Sequence, residues 1–296
     1  MKRWIAILLC VLTAAALAGC GTKGTGGNGN SEAYFEQNNL ALYHPDTFSK
    51  FGETTLVDND DCTVRVTGLG TDPILGFIVD LYLENKTDRS LYFAFEDAAV
   101  NGVSWDPYFA VLLSPRENTT DQIFFFDTEK IDLVQRFTDI ELMLFVYEEN
   151  SLENVVVRET YHIYPFGEEN ASAHVREPLP TDNVIADNDD VTLIVTGYDP
   201  YSSYGFGVKL FFVNKTDKEV LLTVRDADVN GKHNDPWFTI GVQPGKMAYD
   251  EIHWKDFTFR EGQTVSIKEI RLHIVAEDRD DLYSPYYCDE EVTLNP

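Results

Sequence analysis

The chain carries one long stretch twice, and that repeat limits its fold more than any other feature. Residues 58–109 align with 187–238 without a gap at a constant offset of 129, and 24 of the 52 positions are identical. The shared marks are Asp58-Asn59-Asp60-Asp61, Asn85-Lys86-Thr87-Asp88, Val100-Asn101-Gly102 and Asp106-Pro107. Their counterparts are Asp187-Asn188-Asp189-Asp190, Asn214-Lys215-Thr216-Asp217, Val229-Asn230-Gly231 and Asp235-Pro236. Solenoid units run only about 20–50 residues, so a repeat of this length is a duplicated domain. Each copy has roughly 110 residues, enough for one packed core without staples.

Inside each copy the hydrophobic period is two. Phe77, Val79, Leu81 and Leu83 alternate with Ile78, Asp80, Tyr82 and Glu84, and Phe206, Val208, Leu210 and Phe212 match them. Ile140, Leu142, Leu144 and Val146 repeat the pattern, as do Ile270, Leu272, Ile274 and Ala276. Such alternation predicts half-buried antiparallel strands. Asn85–Asp88, Asn101-Gly102, Ser114-Pro115 and Glu148–Ser151 supply turns between them, and Thr128–Phe137 has room for a helical turn. Seven or eight short strands per copy predict an all-β protein of two tandem immunoglobulin-like antiparallel β-sandwich domains. The first is expected over 33–165, with an N-terminal extension (Tyr34, Phe35, Tyr43, Phe48) packed on it, and the second over 184–296. Pro178 and Pro180 stiffen the linker, 166–183.

Ahead of the domains, Lys2 and Arg3 precede an apolar run from Trp4 to Ala18 that leads into Gly19-Cys20. A basic start, a short hydrophobic segment and small residues read as a secretory signal over 1–19. The run is too short for a comfortable transmembrane helix. Residues 20–32, mostly Gly, Asn, Thr and Ser after the cysteine, form a flexible tether. Leu17-Ala18-Gly19-Cys20 resembles a bacterial lipobox. That resemblance implies cleavage before Cys20, acylation of its thiol and new amino group, and a lipid anchor on the extracytoplasmic face of the cell membrane.

Asn-Lys-Thr-Asp, Val-Asn-Gly and Asp-Pro behind such a lipobox are similar to a group of bacterial immunoglobulin-like domains of unknown function. These are common in surface lipoproteins of Gram-positive anaerobes. The likeness covers roughly 55–165 and 184–296. It implies a fold and a location, and brings no catalytic residue, cofactor or ligand.

Charge and cysteines narrow the classes further. The net charge of −27 repels nucleic acid and anionic lipid, and it attracts cations or basic proteins. It is equally the mark of a soluble, non-sticky surface. Cys10 lies in the leader, while Cys62 aligns with Val191 and Cys288 with Val157. Cysteines that alternate with valine between copies read as small buried hydrophobes rather than as an interdomain disulfide.

Motifs for chemistry are few. No Gly-x-Ser-x-Gly elbow, His-Glu-x-x-His helix, Cys-x-x-Cys pair or phosphate loop occurs, so no enzyme activity and no cofactor are expected. Asp226, Asp228 and Asn230, followed by Gly231, match the opening of an EF-hand loop and make a candidate metal site. Position 12 of that loop is Trp237 instead of a bidentate Glu, and both copies keep Asn-Gly, the pair of a type I′ hairpin. A structural turn is the better reading. The Asp58–Asp61 and Asp187–Asp190 clusters could share a hard cation or bond their own backbone as turns; the turn is favoured. The sequons at Asn85, Asn118, Asn170 and Asn214 are read as turn and loop residues.

One loop differs informatively between copies. Where the first reads Leu69-Gly70-Thr71-Asp72-Pro73-Ile74-Leu75, the second gains Tyr198, Tyr201 and Tyr204. Tyr283, Tyr286 and Tyr287 add a second aromatic group before the last strand. Tyrosine offers flat apolar area and a hydroxyl at low entropy cost, so both groups are candidate ligand contacts. The competing reading packs these rings over a sandwich end. The expected function is non-covalent binding of a glycan or protein partner at the cell surface. The alternative is a structural spacer or envelope-assembly component, which would bury Tyr201 and Tyr204.

Overall fold

The computed structural model describes residues 48, 51–72, 75–134, 136–202, 204–255 and 266–296. The signal segment, Cys20, the tether, Tyr34, Phe35 and Tyr43 lie outside the described residues.

Period-two alternation becomes strands whose inward side chains are almost fully buried. In the first copy β1 (Thr54–Asp58), β2 (Cys62–Asp72), β3 (Gly76–Asn85) and β7 (Asn118–Phe125) form a sheet in the order β1-β2-β3-β7. Facing it are β4 (Leu91–Val100), β5 (Val103–Trp105), β6 (Ala110–Leu113), β8 (Ile140–Glu148) and β9 (Ser151–Ile163). There β4 pairs with β5, β6 and β8, and β8 pairs with β9, all antiparallel. The Greek-key order β9-β8-β4-β6 over β2-β3-β7 is immunoglobulin-like. The chain crosses from β7 to β8 through a short helix, α1 (Thr128–Val134), where the sequence left room for a turn.

The second copy repeats the plan. β10 (Asn183–Asp187), β11 (Val191–Asp199), β12 (Phe206–Asn214) and β16 (Met247–Trp254) form one sheet. β13 (Val220–Val229), β14 (Lys232–His233), β15 (Thr239–Val242), β17 (Ile270–Asp278) and β18 (Cys288–Leu294) form the other. Each copy thus has nine strands among the described residues, not seven or eight. The extra ones, such as β5 and β14, are too short to show alternation.

Two hydrophobic clusters fill the sandwiches. In the first, Phe137 meets Phe77 at 4.6 Å and Phe125 at 5.8 Å between ring centroids, and Phe48 of the extension reaches Phe77 at 5.3 Å. In the second, Trp254 is buried among Phe206, Val208 and Ile252 and donates its indole N–H to Asn234 O at 2.9 Å. Cys62 and Cys288 are free thiols, each inside its own core. Burial pushes Cys62 up to about 12 and Cys288 up to about 11.

The shared marks turn out to be fasteners. Asn85 and Asn214 are buried, and each amide is fully used. Asn85 Nδ2 donates to Arg89 O, Leu113 O and Ser114 O, while its Oδ1 accepts from Thr87 N and Oγ1. Asn214 makes the same five bonds to Lys218, Val242, Gln243 and Thr216. Neither sequon asparagine is therefore presented to solvent. Lys86 reaches back to Asp58 and Asn59 O, as Lys215 does to Asp187 (2.8 Å) and Asn188 O. Asn59 Oδ1 accepts from Asp61 N and Cys62 N, and Asn188 Oδ1 from Asp190 N and Val191 N. The acidic clusters are thus Asx turns strapped by a lysine. Asn101 and Gly102 have φ of 53° and 83°, Asn230 and Gly231 of 53° and 74°, as a type I′ turn requires.

The copies meet along one seam. β16 pairs in parallel with β5 at Met247 and Val103, and Met247 N donates to Gly102 O at 2.9 Å. This joins one sheet of each copy into a nine-stranded sheet. Gln243 Nε2 donates to Asp97 Oδ2 at 2.9 Å, and Lys246 Nζ to Glu141 Oε2 at 2.5 Å. In the linker, Arg176 forks onto Asp182 at 2.8 and 2.5 Å and lies 5.1 Å from the Phe211 ring centroid.

Candidate ligand groove

Beside that seam lies a groove of about 1180 Å³. Its floor is the outer face of β11, β12 and β16, which carries Thr196, Lys209, Glu251 and His253. One wall is α1 of the first copy, with Lys130 and Leu133; another is the linker around His174 and Arg176. Tyr201 and Tyr204 of the β11–β12 loop stand at its rim.

The floor is hollowed by a small residue. At Gly207 a β-carbon would fall on the Glu251 carboxylate, so glycine lets that side chain lie flat on the sheet. The corresponding residues of the first copy are Ile78 and Gln122. The rim is ordered by its own turn: Asp199 Oδ1 accepts from Tyr201 N at 2.8 Å, and Ser202 Oγ from Tyr204 N at 3.2 Å. Tyr201 is 71% and Tyr204 67% exposed, and the Tyr204 ring lies 5.6 Å from His253.

Carboxylates dominate the electrostatics. Six line the groove against the fixed cations of Lys130, Arg176 and Lys209. Arg176 is already engaged with Asp182, whose bond raises the guanidinium and lowers the carboxyl. Burial lowers both imidazoles, His174 with help from Arg176, and His253 against the opposing pull of Asp250 and Asp199. Both are therefore neutral near pH 7. Desolvation by the surrounding chain also raises Asp250, and burial pushes Tyr249 up to about 12. Tyr249 OH and His174 Nε2 share a 2.8 Å hydrogen bond. His253 Nδ1 is buried with no hydrogen-bond partner among the described residues. The arrangement suits a neutral or cationic ligand that offers donors and a flat face.

The other sequence candidates distribute differently. Tyr198 packs on the second core, 6.2 Å from Phe206, and so supports the loop. Tyr283 and Tyr286 line a separate hollow of about 650 Å³ with Arg225, Arg279 and Asp281. Strand registers put that hollow at the opposite end of the sandwich from Tyr201. Tyr287 packs on the core, and its carbonyl accepts from Asn188 Nδ2. Asp226, Asp228 and Asn230 do not form a calcium loop: they end β13 and enter the type I′ turn. Asn230 spends its amide on Ser266 O, Lys268 N and Glu269 N. Among the described residues Asp226 instead groups with His233 and Asp235, all exposed. Sequence reasoning missed α1 and the linker as groove walls, because nothing in one copy's pattern tells where the other copy docks.

No protein-family model and no curated protein matches this chain. Among solved structures it is similar to the YadV chaperone at 10% identity and a TM-score of 0.19, over 74% of this chain and 92% of that one. It is similar to red sea bream transglutaminase at 9% identity and 0.23, over 75% and 29%. A Salmonella enterica SafA pilin–SafB chaperone complex gives 8% and 0.18, over 73% and 89%. At such scores these likenesses carry no argument about function.

Proposed function

We propose that this protein is a lipid-anchored, extracytoplasmic binding module that holds a glycan or protein partner non-covalently in the groove between its two sandwiches. The carrying observation is the exposure of Tyr201 and Tyr204 on the rim of a large groove, where a spacer would have buried them. The lipobox-like Leu17-Ala18-Gly19-Cys20 supports the anchor. An excess of carboxylates and two neutral imidazoles favours neutral or basic ligands over anionic ones. Interfaces placed on loops over a rigid sheet are the usual way such sandwiches recognise partners.

Two experiments test the reading. Cys20→Ala is expected to move the protein from the membrane fraction to the medium, and retention in the membrane would reject the anchor. The soluble chain on glycan and protein arrays is expected to give signals that Tyr201→Ala/Tyr204→Ala removes. Signals untouched by that double change would reject the groove.

A further inference from the structure

Two aromatic side chains stand almost wholly in solvent at the same place in the two copies. Tyr108 is 87% exposed and Trp237 94%, and the two positions align in the repeat. Around them the chain reads Asp106-Pro107-Tyr108-Phe109 and Asp235-Pro236-Trp237-Phe238. Exposure alternates along both segments: carboxylate and ring point out, proline and phenylalanine are buried. Phe109 packs on Phe95 at 5.3 Å, and Phe238 belongs to the second core. The buried pair therefore holds the outward pair in place, with proline fixing φ ahead of the ring. In the second copy Asp235 Oδ1 also accepts from Ala227 N at 2.7 Å, and Asp235 Oδ2 lies 3.1 Å from His233 Nε2.

Neither ring contributes to a core, so folding does not require an aromatic residue at either place. The copies differ at the remaining 28 of the 52 aligned positions, yet here each keeps both an aromatic side chain and its exposure. We propose that each Asp-Pro-aromatic segment is a binding platform for a sugar ring of a neutral polysaccharide, one platform per domain. An open ring face stacks on the C–H face of a pyranose, and the carboxylate two residues away on the same side accepts hydroxyl hydrogen bonds. A platform without walls suits the interior units of a polymer, whose chain must pass across it. The charge of −27 excludes polyanions. A lone exposed ring gives a cation only weak, salt-screened attraction, so an ammonium ligand fits less well. Two platforms on one chain add avidity wherever one polymer spans both.

Native gel electrophoresis of the mature chain through gels cast with mixed-linkage β-glucan, xylan, galactomannan or dextran tests this. At least one neutral polymer is expected to retard migration. Tyr108→Ala and Trp237→Ala should each weaken retardation about tenfold, the scale of losing an aromatic anchor, and the double change should abolish it. Trp237→Tyr should keep it, and unchanged thermal unfolding of all variants shows that the fold is intact. No retardation by any neutral polymer overturns the proposal, as does a double variant that still runs like the parent. Loss on Tyr201→Ala/Tyr204→Ala alone would place the sugar in the groove instead. Binding confined to an oligolysine probe and abolished by high salt would assign a cation.

Discussion

β7 and β16 occupy the same place in the two copies and meet different fates. Among the described residues β7 ends its sheet, whereas β16 continues across the seam to β5. The residues that make the seam, Lys246, Met247 and Tyr249, stand where the first copy has Glu117, Asn118 and Thr120. Phe211, under the Arg176 guanidinium, answers to Tyr82. The groove floor changed as well, from Ile78 and Gln122 to Gly207 and Glu251. The asparagine and lysine fasteners did not change. Duplication thus preserved what closes a sandwich and altered what the second copy shows to the first. The free edge of β7, which reads Asn-Thr-Thr-Asp-Gln, has become polar, a common guard against strand-to-strand association.

The comparison breaks most easily at the fasteners. Asn85→Ala and Asn214→Ala each remove a buried amide with its five hydrogen bonds, and each is expected to cost about 3 kcal/mol or more in urea unfolding. Unequal losses would show that the two hubs are not equivalent. Next in size, Met247→Asp puts a charge into the seam and should separate unfolding into two transitions, with a loss of about 2 kcal/mol. Asn118→Asp, its counterpart on the free edge, should change almost nothing.

Smaller still is the effect of pH on the linker. His174 has a folded-state pKa below its unfolded value near 6.5, because burial and Arg176 disfavour its charge. Its contribution is complete above that unfolded value and is lost as pH falls through the window beneath it. Melting temperature should decline there more steeply for the parent than for His174→Phe. A parallel decline would remove His174 from the account. The smallest effect concerns the rim: Tyr201→Ala/Tyr204→Ala should shift stability by under about 0.5 kcal/mol, since neither ring is in a core.

Much of the fold was legible because it rests on local rules. Alternation from Phe77 to Leu83 names an inward face whichever strand lies beside it, and Asn-Gly names its turn without tertiary help. The duplication then checked each reading against a second instance. The Asp58–Asp61 reading as a turn needed only local chemistry and agrees with the Asn59 bonds. The groove was only half legible. Tyr201 and Tyr204 stood out as aromatic replacements in the second copy, but Lys130 and His174 reach the same space through docking, which has no period. Tyr108 and Trp237 could have been found: an aromatic residue follows Asp-Pro in both copies, and only the alternation across Pro and Phe reveals that it points outward.

The buried amides have a consequence for how the sandwich is closed. Immunoglobulin domains of antibodies tie their two sheets with a disulfide. Here Asn85 sits at the end of β3 and bonds to Leu113 at the end of β6, in the opposing sheet, and Asn214 does the same with Val242. An amide clasp needs no oxidant to form and no reductant can open it. Both cysteines in the cores remain thiols, shielded from solvent and held protonated by burial. The two domains therefore reach the same folded state under oxidising or reducing conditions, and their assembly does not wait on thiol chemistry.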